Sequence, residues 1–190
     1  NGRLGIKGGL SILGTTGVVK PYSCAAWIHG IHSGIDVGRA AGLIHMAGAT
    51  GKTSEAAVLA LYGLPELALI DMGDFAGGML KYLRRHPIPR LTIAGGFAKM
   101  AKLAQGCMDL HSSRSNVDFD RLATLMAGLG AAQDLVHAAR TANTAQQVLD
   151  LARQAQIPLA DHVATLARET ALATLSGDII VEVIIFDRRG

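Results

Sequence analysis

Four times in the first hundred residues, a short apolar run stops on glycine and hands over to a helix-forming stretch. Residues 10–13 lead through Gly14, Thr15, Thr16 and Gly17 to a helix over about 23–41. Residues 43–47 lead through the GATGKTS turn (48–54) to a helix over about 54–62. Residues 67–72 lead through Gly73 and Asp74 to a helix ending near 85, and 91–94 through Gly95 and Gly96 to one ending near 105. Repeated β-turn-α units demand a mostly parallel sheet, because a parallel neighbour is reached only by a crossover that a helix supplies. The fold class is therefore α/β, a sheet with helices on both faces in Rossmann-like layers.

The helix ends have local causes. Ser23 stands where a hydroxyl caps the first helix, and Cys24, Ile28, Ile31, Ile35 and Gly38 follow helical spacing toward the sheet. Thr53 or Ser54 is expected to cap the second helix and Asp74 the third, while Gly42 and Gly63 stop the first and second. From Asn116 the pattern becomes helical throughout. Phe119, Leu122, Leu125 and Leu129 form one stripe, and Leu135, Val136 and Ala139 another. Ala-rich helices then span 144–156 and 159–176, separated by Pro158. The run DIIVEVIIF (178–186) is too continuous for an exposed edge and is expected to join the sheet as a buried strand, with Glu182 on a partly wet face. The chain reads as a single α/β domain over 1–190, with β-turn-α units to residue 112 and a helical segment with a closing strand after it.

Bulk properties remove several function classes. Hydrophobic residues make up 49% of the chain and charged ones 17%, which excludes disorder. A net charge of +3 without a basic, aromatic-interleaved block argues against nucleic acid. No apolar run is long enough for a membrane span, and Cys24 and Cys107 form no disulfide framework. A reducing cytoplasm is the expected location. The chain begins at Asn1 close to a strand, so it reads as part of a longer protein.

Ligands of open α/β sheets bind outside the carboxyl ends of the strands, and all four turns fall on that edge. Two familiar motifs are refused there. GATGKTS lacks the P-loop's first glycine, since Met46 occupies that position, and no turn carries GxGxxG. No GxSxG elbow is present, and His29 and His32 have no third ligand nearby for zinc, so no protein metal site is expected. Asp71 and Asp74 flank a strand end where a carboxylate can meet ribose hydroxyls, Asp74 serving alternatively as a helix cap. Lys99 and Lys102, three apart on one helix, are expected to share a face. CMDLHSSRS (107–115) adds Asp109, His111, Ser112 and Arg114.

Taken together, GGLSILGTTGVVKPYS, ATGKTSE, LIDMGDFAG, LTIAGGFAKMAKLAQG and DLHSSRS resemble the CbiD family, the cobalt-precorrin-5B C1-methyltransferases of cobalamin biosynthesis. The match is ordered along residues 8–120, and the chain looks like the family's C-terminal half, with an N-terminal part outside it. The resemblance implies methyl transfer from S-adenosylmethionine to C1 of a corrinoid, with cobalt arriving inside the substrate. It implies cofactor contacts at Gly14, Thr15, Thr16, Gly17, Asp71, Gly73 and Asp74. It places substrate contacts at Thr50, Gly51, Thr53, Ser54, Glu55, Gly95, Gly96, Lys99, Lys102, Ser112 and Arg114, with His111 and Asp109 in catalytic positions.

Such chemistry needs alignment and exclusion of water more than a nucleophilic side chain. Lys99, Lys102, Arg84, Arg85 and Arg114 suit the substrate's carboxylates. The alternative is a corrinoid-binding or oligomerisation module whose cofactor pocket lies in the missing half. A nucleotide-binding regulator without catalysis is a third reading. A homo-oligomer is left open.

Overall fold

The computed structural model describes residues 23–187. The predicted first strand and the Gly14–Gly17 turn, with the cofactor contacts assigned to Gly14, Thr15, Thr16 and Gly17, lie outside the described residues.

Helix α1 (Cys24–Ala40) begins at Ser23, whose hydroxyl accepts from the Ala26 amide at 3.3 Å. It buries Ile31, Ile35 and Gly38, while Cys24 stays exposed. Gly42 takes a left-handed φ of 72° just past its end. Strand β1 (His45–Ala49) starts two residues later than the apolar run, because the Leu43 amide still closes α1 by donating to Gly38 O. Helix α2 (Lys52–Tyr62) ends on Gly63 at φ 61°. A short 3-10 turn (Glu66–Ala68) precedes β2 (Leu69–Asp71), α3 (Ala76–Leu83), β3 (Arg90–Gly96) and α4 (Phe97–Ala104). Helices α5 (Phe119–Gly128), α6 (Gln133–Arg140), α7 (Ala145–Gln154) and α8 (Leu159–Thr174) lead to β4 (Ile180–Phe186).

Two predicted caps are corrected. Helix α2 is capped by Gly51, with the Ser54 hydroxyl donating back to Gly51 O at 2.8 Å instead of receiving an amide. Helix α3 starts at Phe75 without a side-chain cap, because the Asp74 carboxylate is turned to Lys99.

All strand pairs among the described residues are parallel, in the order β2-β1-β3-β4. Successive side chains point to opposite faces, and the two faces have different chemistry. Met46, Ile70, Leu91, Ile93, Val181 and Val183 enter a large core with α1, α3, α4 and the C-terminal helices. The other face offers Ala47, Ala49 and Ala94, small enough for α2 to settle on them through Val58. Helices thus cover both faces, unequally. The C-terminal run does join the sheet, but among the described residues β4 is its outer strand, and Ile180 is 64% exposed. Continuity of Ile and Val reflects the α8 layer on one face and the α2 side on the other, not a central position.

On the α2 face, strand register lines up a polar group at the sheet's amino-terminal end. Arg90 and Thr92 donate to Glu182 Oε2 at 3.2 Å each, and the Tyr62 hydroxyl donates to the same oxygen. The His45 ring sits 2.9 Å from the Thr92 hydroxyl. Since Thr92 donates onward to Glu182, it accepts from His45 Nε2–H. Burial pushes the Glu182 carboxyl up, but the hydrogen bonds from Tyr62, Arg90 and Thr92 outweigh it and hold it below the ordinary 4.5. Burial, reinforced by Arg90, holds His45 below 6.5.

Both depressed groups bind fewer protons folded than unfolded, so stability is present at neutral pH and lost on acidification. Loss begins as pH falls below 6.5 for His45 and below 4.5 for Glu182. Replacing Glu182 by Gln should cost about 1 kcal/mol at pH 7, a figure kept small because the side chain is 38% exposed. Melting temperatures of the two proteins, followed down in pH, should converge below the Glu182 titration. A gap that persists unchanged at pH 3 rules out the carboxylate as its source.

Candidate functional site

The carboxyl ends of the strands meet at Thr50, Asp71–Phe75 and Gly96–Lys99, and a short chain of bonds knits them together. The Met72 and Gly73 amides both donate to Ala49 O at 3.1 Å, and the Thr50 amide donates to Ala94 O. Lys99, first-turn residue of α4, donates to Thr50 O at 3.1 Å and lies 3.0 Å from Asp74 Oδ1. That oxygen is buried and takes no aligned hydrogen bond, so its partner is the ammonium charge alone. Gly95 is required beneath this junction. A Cβ there would lie 2.8 Å from both Thr50 Oγ1 and Met100 Cε.

Around the junction lie three openings. The central cleft, about 540 Å³, is walled by Trp27 and Phe75 and edged by Asp71, Asp74, Lys99 and His111. Trp27 was not singled out by the sequence, since its position falls on the exposed side of the α1 stripe. Yet its indole is fixed, donating to Asp71 O at 3.0 Å and lying against Gly73, where a Cβ would come within 3.1 Å of the ring. Gly73 also adopts φ 55°, which a side chain would resist. Thr50, Gly51 and Glu55 line the same cleft.

The second opening, about 520 Å³, lies where α2, α4 and α7 begin, and takes in Thr53, Ser54 and Gly96 beside Lys52 and Lys99. The third runs between α1 and α3 and reaches Asp109 and Arg114.

Two assigned roles are corrected by position. Lys102 does not share the Lys99 environment. It is 7% exposed, and its ammonium donates to Leu110 O at 3.0 Å, so it holds the 107–115 loop from beneath. Gly95 is buried, serving the junction and not a ligand surface. Arg84 and Arg85 follow α3 at the end of the helix opposite Asp74, so they line the third opening and not the strand-end cleft.

In the loop, the Leu110 amide donates to Asp74 O, and Arg114 grips Asp109 Oδ2 at 2.6 Å. Burial pushes the Asp109 carboxyl up, but the His111 amide and Arg114 outweigh it and set it below the ordinary range. His111 Nδ1 accepts from the Ser113 amide at 3.2 Å, which leaves Nε2 as the hydrogen-bearing nitrogen. Ser112 is exposed on the same turn. No helix among the described residues is long and apolar enough to cross a membrane.

A parallel sheet with a cleft outside its strand ends has the layout in which α/β proteins hold small ligands. The profile described as CbiD, C-terminal domain, matches residues 109–190. Over its whole length the chain is 63% identical to the cobalt-precorrin-5B C(1)-methyltransferase of Bradyrhizobium sp. strain BTAi1, covering 51% of that protein. It is 62% identical to the protein of the same name from Methylorubrum extorquens, covering 53%, and 61% identical to that of Brucella canis, covering 52%. No solved structure matches. The chain thus resembles the CbiD C-terminal domain over residues 109–190 and spans about half the length of the curated relatives it matches.

Proposed function

We propose that this chain carries the strand-end part of the site of a C1-methyltransferase that uses S-adenosylmethionine on cobalt-precorrin-5B to give cobalt-precorrin-6A. The observation that carries the reading is identity above 60% along the entire chain with relatives bearing that activity in their names. The central cleft supports it. Its volume suits a nucleoside-sized ligand. It combines an immobilised aromatic wall with carboxylates, a set that suits a heteroaromatic base, ribose hydroxyls and a cationic sulfonium.

When bound, the donor supplies an electrophilic methyl group whose loss leaves a neutral thioether. The protein's own task is positioning. Asp71 and Asp74 hold the cationic, hydroxyl-rich ligand, Gly73 admits it close to the backbone, and Trp27 with Phe75 excludes water. Thr50, Gly51 and Glu55 border the ligand at the mouth of the cleft, and Lys99 clamps that mouth by joining Thr50 O to Asp74. His111, presenting Nε2–H, aligns a substrate carboxylate, while Asp109 and Arg114 keep its turn in place. Cobalt belongs to the substrate. A location in the cytoplasm and a further domain in the full protein accompany this reading.

Trp27 is the sole tryptophan, so its fluorescence reports on the cleft. Titration with S-adenosylhomocysteine, checked by calorimetry, should show saturable binding that Asp71→Asn weakens about tenfold or more. Absence of binding would move the cofactor pocket to the remainder of the relatives' length and leave this chain as a corrinoid-holding module.

A further inference from the structure

We propose that the groove between α1 and α3 is the seat of the substrate's carboxylate rim, a second binding site joined to the cofactor cleft at Cys24 and Phe75. This rests on the methyltransferase reading above for its ligand class, and on the molecule's charge distribution for its place. The groove holds about 900 Å³, against about 520 Å³ for the pocket at the α2, α4 and α7 starts. Cys24 and Phe75 line both the groove and the central cleft, so the two openings share a wall. A flat macrocycle lying in the groove therefore presents its edge to whatever occupies the cleft.

The cations decide between the two flanks. Lys81, Arg84 and Arg85, spaced i, i+3 and i+4, line the groove from one face of α3 and its extension. Arg114 closes the other end from its loop. The lining carboxylate is Asp109, already bound to Arg114, and on α1 Asp36 is engaged by the Tyr82 hydroxyl at 2.7 Å. Arg84 donates to Ser176 through Nε. The Lys81 and Arg85 side chains have no hydrogen-bond or ion-pair partner among the described residues.

Cations at a helix carboxyl end do favour the dipole, but one suffices, and three adjacent like charges repel. The dipole accounts neither for three nor for Arg114. In the competing pocket, Lys99 is committed to Thr50 O and Asp74, which leaves Lys52 in a lining that also carries the Asp187 carboxylate. Between the cations, Ile28 and Phe75 give an apolar floor. Apolar floor and cationic rim together fit a polycarboxylate macrocycle.

The probe is cobyrinic acid, a corrinoid whose side chains end in free carboxylates, with its fully esterified form as the uncharged control. Calorimetry on the 190-residue chain should show binding of the acid that Lys81→Gln/Arg85→Gln weakens about tenfold or more, with a shallower salt dependence. The ester should bind more weakly than the acid, and Lys52→Gln should stay within about twofold. Melting temperatures confirm that each variant folds. Equal binding by the double variant, equal binding of the ester, or a loss carried by Lys52→Gln instead overturns the proposal, as does no binding by the unaltered chain. S-adenosylhomocysteine affinity, read through Trp27 in the same variants, should not change. Corrinoid effects without any S-adenosylhomocysteine binding would sink the cofactor reading while the groove stands.

Discussion

Gly77→Val should lower the melting temperature by roughly 5–12 °C, the equivalent of about 2–4 kcal/mol in a chain of this size. A Cβ on Gly77 would lie 2.7 Å from Met108 Cβ and 3.1 Å from Met108 O. These are not the far ends of flexible side chains. The Gly77 amide already donates to Met108 O at 2.8 Å, so helix α3 and the 107–115 loop meet backbone to backbone. Any side chain forces the loop outward and takes with it the Leu110 amide bond to Asp74 O and the Lys102 bond to Leu110 O. Gly30→Ala is the control. It sits within α1 with nothing within 4 Å of the added Cβ, and should stabilise by about 0.5–1 kcal/mol through helix propensity. If thermal denaturation finds Gly77→Val no worse than Gly30→Ala, the close approach of loop and helix is wrong.

Lys99→Met should weaken S-adenosylhomocysteine binding about tenfold to a hundredfold and cost about 1–3 kcal/mol of stability. One ammonium there satisfies Thr50 O and faces the buried Asp74 Oδ1, joining the ends of β1, β2 and β3. Methionine keeps the length and the apolar stem but abandons both oxygens. The double variant Lys99→Met/Asp74→Asn separates the two effects. Removing the stranded charge should recover part of the stability, whereas binding should stay weak because the junction is still unclamped. Calorimetric affinity and melting temperature, measured over the four-member cycle, check both statements. Strict additivity of the two substitutions would show that the residues act independently.

Much of the architecture was legible because it depends on short-range rules. Alternating apolar runs, Ser23 as a cap, Gly42 and Gly63 as stops, and the turn from β-periodic to helical patterning at residue 116 all act within a few residues. The strand-end cleft was legible for the same reason, since in a parallel sheet every β-to-α turn falls on one edge. Asp71, Gly73, Asp74, Thr50, Gly51, Glu55, Lys99 and His111 do converge there. Lys102 was misplaced because periodicity equates residues three apart, whereas the loop folded back over one of them and not the other. Trp27 escaped notice because an exposed aromatic on an amphipathic helix gives no local sign of what it touches, and its partners lie 44 residues and more away.

By itself, then, the chain's sequence determined the parallel α/β class, the Ser23 cap, the Gly42 and Gly63 stops and the sheet edge on which the β-to-α turns meet, since hydrophobic period, glycine and capping chemistry are local. Only the tertiary structure decided that β4 lies outermost among the described strands, that Lys99 and Lys102 part ways, that Trp27 walls the cleft and that Arg84 and Arg85 line the α1–α3 groove instead. Those outcomes hinge on strand order and on how loop 107–115 closes over α3 and α4. Both are settled by packing between segments far apart in the chain, where desolvation and backbone hydrogen bonds outweigh any preference a residue carries alone.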